Sequence, residues 1–202
     1  MSAWKFLLLG VALAASPSAL LAQQDAGFYL GASVGRSDAK DACETPTVPG
    51  VVITACDDKD TSWKILGGYQ FNRNFALEGG YVDFGKLSAS GTVLGVPLSA
   101  TYEADAFEIL AVGILPITDR FSLYGKAGLF RWDVDARATA AGVTVTASDD
   151  GTDFTFGAGL KYQFTKNVAG RFEIQRYNNV GERGTTGQSD VNVWSIGIQV
   201  KF

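Results

Sequence analysis

The amino-acid sequence predicts an all-β fold, an eight-stranded antiparallel up-and-down transmembrane β-barrel. Three observations carry that reading: side chains alternate with period two over segments of about 9 to 12 residues, eight such segments occur, and the connections between them alternate short and long. The alternation is clearest in DFTFGAGLKYQF from Asp153, where Phe154, Phe156, Ala158, Leu160, Tyr162 and Phe164 share one face. The other face carries Thr155, Gly157, Gly159, Lys161 and Gln163. Greasy residues facing lipid and glycines and charges facing a lumen make the pattern of a barrel strand. The alternative is a soluble lipocalin-like barrel, in which the apolar faces converge inward and inward charge is rare.

At 202 residues with 24 Gly, 5 Pro and 12% aromatic residues, the chain suits one β domain and is too glycine-rich for a helical bundle. A net charge of -4 gives no electrostatic footprint for nucleic acid. With no histidine, the commonest general base and metal ligand is missing. Ser, Asp and Lys are present, but no nucleophile lies in a recognisable motif beside a base, so no enzyme, cofactor or metal centre is expected.

The N-terminus, residues 1–22, reads as a secretory signal peptide: Lys5 is the charged region, Phe6 to Ala15 the apolar core, and Ser16 to Ala22 a small-residue exit. Cleavage after Ala22 leaves a barrel domain of residues 23–202 with 16 basic and 21 acidic residues. Export into an oxidising compartment favours a disulfide between Cys43 and Cys56, and a metal site there lacks ligands.

Beyond the signal, the longest apolar run is Ile109 to Ile117, too short for a membrane helix, so any crossing must be made by strands. The eight segments start at Phe28, Thr61, Phe75, Ala104, Phe121, Asp153, Ala169 and Val191. Short turns fall at 72–74, 116–120 and 165–168, and longer loops at 38–60, 86–102, 133–152 and 181–190. Short periplasmic turns opposite long external loops fit an outer-membrane barrel. The first loop is acidic, with Asp38, Asp41, Glu44, Asp57, Asp58 and Asp60, but no spacing matches a calcium loop and it reads as a solvated face. Trp63, Trp132, Trp194, Tyr69, Tyr81, Tyr162, Phe75, Phe164 and Phe202 lie near strand ends and are expected to form interfacial girdles. Ending on the outward-facing Phe202, the chain resembles the terminal assembly signal of bacterial outer-membrane barrels, which implies the barrel assembly machinery as a partner in biogenesis.

Three stretches resemble the transmembrane domain of the outer membrane protein A family: LGGYQFNRNFALEGGY, PITDRFSLYGKAGLFRWD and GLKYQFTKNVAGRFEIQRYNNVGE. The resemblance implies the outer membrane of a Gram-negative bacterium, contact with its lipids and lipopolysaccharide, and a lumen crossed by paired charges instead of an open channel. Carried over, Glu78, Lys126, Arg171 and Glu173 fall on the family's inward charged positions. Lys161 stands where the family has a glutamate and Val112 where it has a lysine, so Glu78 must use Lys126, Arg171, Lys161 or another partner. The expectation is that Glu78 and Glu173 share Arg171, Lys126 and Lys161, and the inward parity of Lys64 and Glu108 makes them candidates to join.

Larger members of the family carry a periplasmic domain that grips peptidoglycan, and since this sequence stops at the barrel that activity is not carried over. The expected role is a monomeric structural barrel that supports envelope integrity and displays external loops. A narrow porin-like channel for ions or small solutes and an adhesin barrel are the alternatives.

Overall fold

In a computed structural model, residues 26–40, 51–182 and 185–202 are described; the expected signal peptide and Cys43 lie outside them. The strands are β1 (Gly27–Ala39), β2 (Val51–Asp57), β3 (Lys59–Gln70), β4 (Phe75–Val93), β5 (Val96–Pro116), β6 (Phe121–Ala140), β7 (Val143–Gln163), β8 (Val168–Val180) and β9 (Ser189–Lys201). Every pairing is antiparallel. The sheet runs β2-β4-β3-β1-β9-β8-β7-β6-β5 and closes through β4 on β5.

Nine strands fill eight wall positions because β2 and β3 lie end to end along β4, β2 opposite residues 88–93 and β3 opposite 76–83. Eight positions close a barrel just wide enough for side chains to fill. The barrel is thus the expected one, with one wall position split at Asp58.

The segments expected as long loops at 86–102 and 133–152, and residues 51–57 of the one expected at 38–60, are instead strand apart from tight turns. β4, β5, β6 and β7 run 19 to 21 residues and end in two-residue turns at Leu94-Gly95 and Ala141-Gly142. All four turn residues have φ between 50° and 81°, the signature of a type I′ hairpin whose twist matches that of its strands. Bilayer thickness sets a minimum strand length, not a maximum. The alternation in SASGTVLGVPLSATY continues past the lipid, and so does the wall. β1, β3, β8 and β9 stop at 12 or 13 residues. One half of the barrel therefore extends beyond the other by roughly 25 Å measured along the tilted strands.

Outside, Phe28, Tyr69 and Phe71 form a ring chain with centroids 4.8 and 5.1 Å apart near the short-turn rim, and Trp63, Tyr81 and Phe107 form another at 5.4 and 5.0 Å. Trp63 and Phe71 are eight residues apart, roughly 26 Å along the strand, which matches the apolar height of an outer-membrane barrel. Trp132 departs from the expected girdles. It shares parity with Phe130 and Val134, points into the lumen and is 4% exposed, with its Nε1–H donating to Asp153 Oδ2 at 3.2 Å.

One extra residue reorients β4. Between Asp83 and Lys86 it advances three residues while β5 advances two, a bulge centred on Gly85 at φ 82°. Asp83 Oδ1 accepts from Gly85 N–H and Asp60 Oδ2 from Lys86 N–H, both at 2.7 Å, and these bonds hold the kink. The bulge swaps which residues of β4 face inward.

Charge is divided between the ends. Arg73, Arg120, Lys161, Lys166 and Lys201 line the mouth at the short-turn rim, where Asp119 is the one acidic side chain among the described lining residues. Beyond the second aromatic chain, at the hairpin rim, the described carboxylates outnumber basic groups two to one.

Candidate functional site: a charge layer across the lumen

Six ionisable side chains of opposite sign meet inside the barrel, each no more than 8% exposed: Glu78 from β4, Glu108 from β5, Glu173 and Arg171 from β8, Lys64 from β3 and Lys126 from β6. Three carboxylates face three cations. The balance is what a lumen must have, since an ion that loses water without gaining a partner is strongly destabilising.

Glu173 is the hub. Its Oε1 lies 3.0 Å from Lys64 Nζ and 2.5 Å from Lys126 Nζ, and its Oε2 accepts from Arg171 Nη2 at 3.1 Å and the Tyr124 hydroxyl at 3.0 Å. Arg171 bridges two carboxylates, reaching Glu78 through Nη1 at 2.7 Å and Nη2 at 3.2 Å in the forked geometry a guanidinium provides. The Tyr29 hydroxyl donates to the same Glu78 at 2.9 Å. Lys64 also reaches Glu108 at 3.1 Å, and Glu108 accepts from the Tyr177 hydroxyl and Gln175 Nε2, each at 2.8 Å. Among the described residues no buried side-chain nitrogen or oxygen lacks a hydrogen-bond partner.

Backbone geometry makes room for this. A Cβ at Gly159 would fall 2.4 Å from the Tyr124 ring and one at Gly68 2.4 Å from that of Tyr29. Both tyrosines lean over a neighbouring strand that has no side chain there, and so reach the carboxylates. Toward the hairpin rim the layer is roofed by Val82, Phe84, Phe130, Trp132, Val134 and Tyr177, and toward the short-turn rim it rests on Leu66, Ala76 and Val112. The void left beside Glu78 and Arg171 is about 10 Å³, at the lower limit for one water molecule.

Of the residues singled out in the sequence, Glu78, Lys126, Arg171 and Glu173 come together here, and Lys64 and Glu108 join them. Glu78 finds Arg171 as its guanidinium partner, and Val112 packs against Tyr124 and Leu66. Lys161 stands half-buried at the layer's lower edge, where it lines both the small void and the mouth below. The residues not foreseen are Tyr29, Tyr124, Gln175, Tyr177 and Thr155. Gln175 and Tyr177 continue the parity of Arg171 and Glu173, a signal that was there to read. Cys56 lies on β2, and its expected partner Cys43 is outside the described residues.

The family model for the OmpA-like transmembrane domain matches residues 23–202. The chain belongs to that family. Among curated relatives, outer membrane protein A of Shigella flexneri is 29% identical over 199 residues, covering 96% of this chain and 55% of that protein. The Klebsiella pneumoniae protein is 31% identical over 140 residues, covering 68% of this chain and 40% of its own. The chain thus spans about half the length of the curated relatives it matches. Among solved structures, Ail of Yersinia pestis in complex with a heparin analogue aligns with TM-score 0.52 and 16% identity over 87% of this chain and 99% of Ail. Neisserial surface protein A aligns with TM-score 0.52 and 16% identity over 87% and 97%. These two show the barrel fold. As an OmpA-like domain, the chain is an outer-membrane β-barrel lying among the lipids of a Gram-negative envelope. Its short-turn rim is the periplasmic one.

Proposed function

We propose that this OmpA-like barrel is a structural, non-enzymatic protein of the outer membrane whose lumen is shut by its charge layer and whose tall outer half is the surface it displays. The observation that carries this reading is the set of six buried, mutually paired ionisable side chains across the lumen, with a void of only about 10 Å³ beside Glu78 and Arg171. The layer ties β3, β4, β5, β6 and β8 across the lumen, so its role is to brace the wall from inside.

Residues 1–22 serve as the cleaved signal, 23–202 form the barrel, and Cys43 and Cys56 close a disulfide in the first external loop. The barrel works as a monomer, is inserted by the barrel assembly machinery and lies against lipopolysaccharide. Single-channel recording of residues 23–202 in a planar bilayer tests the reading, with heat-modifiable gel migration confirming the fold. A folded barrel without discrete steps is expected. Steps that change when Glu78 or Lys126 is neutralised would establish a channel instead.

A further inference from the structure

Above the membrane the alternation of the four tall strands turns over. Within the lipid band the outward positions are apolar and the charged side chains turn inward. Beyond Asp83 the reverse holds. On β4, past the bulge, Leu87 and Ala89 sit on the inward parity and Lys86, Ser88 and Ser90 on the outward one. On β5 Ala100 and Tyr102 face in, and Ser99, Thr101 and Glu103 face out. β6 and β7 repeat the pattern, with Ala136, Ala138, Val145 and Ala147 inward and Asp135, Thr139, Thr146 and Ser148 outward. An apolar face kept turned inward for so many residues above the lipid builds a cup.

That cup is a cavity of about 490 Å³, within the range of small-molecule sites. Its far side is closed by Ala39, Val180 and Val191, and it sits directly on the apolar roof of the charge layer. The small alanines leave the space open. Polar groups are interspersed: the hydroxyls of Tyr102, Thr185, Thr186 and Ser189 line it, and so do Ser88, Thr101 and Gln188. Burial and the nearby Asp149 carboxylate keep the Tyr102 hydroxyl protonated well past its ordinary range, so it offers a hydrogen bond and no charge. Around the opening acidic groups outnumber basic ones. Asp57 and Arg137 line the cup, Asp149 is held at its edge by Thr185 and Thr186, and Asp58 and Glu182 stand on the same outer half, while Asp150 is paired with Arg131.

We propose that this cup binds a small amphiphile with an apolar body and a cationic head, the body lying on the alanine wall and the head among the rim carboxylates. Apolar surface removed from water supplies the affinity, and the acidic collar selects the sign of the head.

The test uses the folded barrel in nanodiscs of zwitterionic phospholipid, with calorimetric titrations of octylammonium, octanol and octanoate and with empty discs subtracted. Saturable binding of octylammonium is expected, at least about tenfold tighter than octanoate at low salt. Ala100→Trp, which fills the cup, should abolish it, whereas Ser99→Trp, one position away on the outward face, should leave it within about twofold. Ala138→Leu serves as a second filling variant, and gel migration verifies that each variant folds. Heat no greater than that of empty discs, octanoate binding equal to octylammonium, or filling variants that bind normally would overturn the proposal. So would binding that appears only after residues 44–49 are deleted, since the occupant would then be the chain's own loop.

Discussion

The charge layer and the cup above it occupy the same barrel interior and are built by opposite means. In the layer, six ionised groups are buried at a radius where water cannot follow, and the structure answers with near-complete pairing around Glu173. In the cup the wall stands clear of lipid, water reaches the outside, and the inward face is alanine, valine and leucine. The difference teaches that the sign of a strand's alternation is set by what lies outside the wall. Beside lipid the outward face must be apolar, which leaves the polar residues to the lumen; beside water the constraint lapses and the faces exchange.

The sharpest way to break the comparison is to remove the hub. Glu173→Ala leaves Lys64, Lys126 and Arg171 without their shared carboxylate and should cost about 5 kcal/mol, the upper end for a broken buried pair. Urea titration in lipid vesicles followed by tryptophan fluorescence measures it; a midpoint near that of the parent barrel would deny the layer any bracing role. Arg171→Met should cost about 3 kcal/mol, because Glu78 loses its forked guanidinium partner and keeps the Tyr29 hydroxyl. Combining it with Glu78→Leu should recover part of that loss, since two apolar groups avoid the stranded charge. A double variant less stable than the sum of the singles would contradict the pairing.

At Gly85 a side chain would meet both a left-handed backbone and the Thr61 carbonyl oxygen, which a Cβ would approach to 2.6 Å. Gly85→Val is therefore expected to lose about 2 kcal/mol. Because the bulge also sets which face of β4 enters the cup, the same variant should weaken binding of octylammonium. The smallest effect is expected from Lys161→Ala, within about 1 kcal/mol, because Lys161 lies at the layer's partly wet edge. A loss as large as that of Arg171→Met would move Lys161 into the layer's centre.

Much of this was legible in the sequence. Period-two alternation placed the eight wall positions but not β2, which lies in the stretch expected as the first loop; the family resemblance picked out Glu78, Lys126, Arg171 and Glu173, and inward parity added Lys64 and Glu108. What escaped was height along the axis. Parity tells which face a residue is on and not how far a side chain reaches, so Lys161 could not be separated from Arg171, its cross-strand neighbour. The tyrosines reach the layer only because Gly68 and Gly159 lie beneath them on other strands, a relation that needs the register. Strand length failed for a different reason: lipid thickness was used as a ruler where the ruler no longer applied. Trp132 was assigned by residue type, whereas its parity with Phe130 already placed it inside.

The separation of charge between the two rims acts beyond the single molecule. Barrels inserted with one orientation hold their carboxylates at one height above the outer surface and their Arg73, Arg120 and Lys166 at one height below the inner. Side by side, two such copies meet like with like at both levels, and the repulsion reaches about one Debye length, roughly 8 Å in physiological salt. The same asymmetry that gives each barrel an acidic crown therefore makes side-by-side contact between like-oriented copies electrostatically unfavourable at both rims unless counter-ions settle between them.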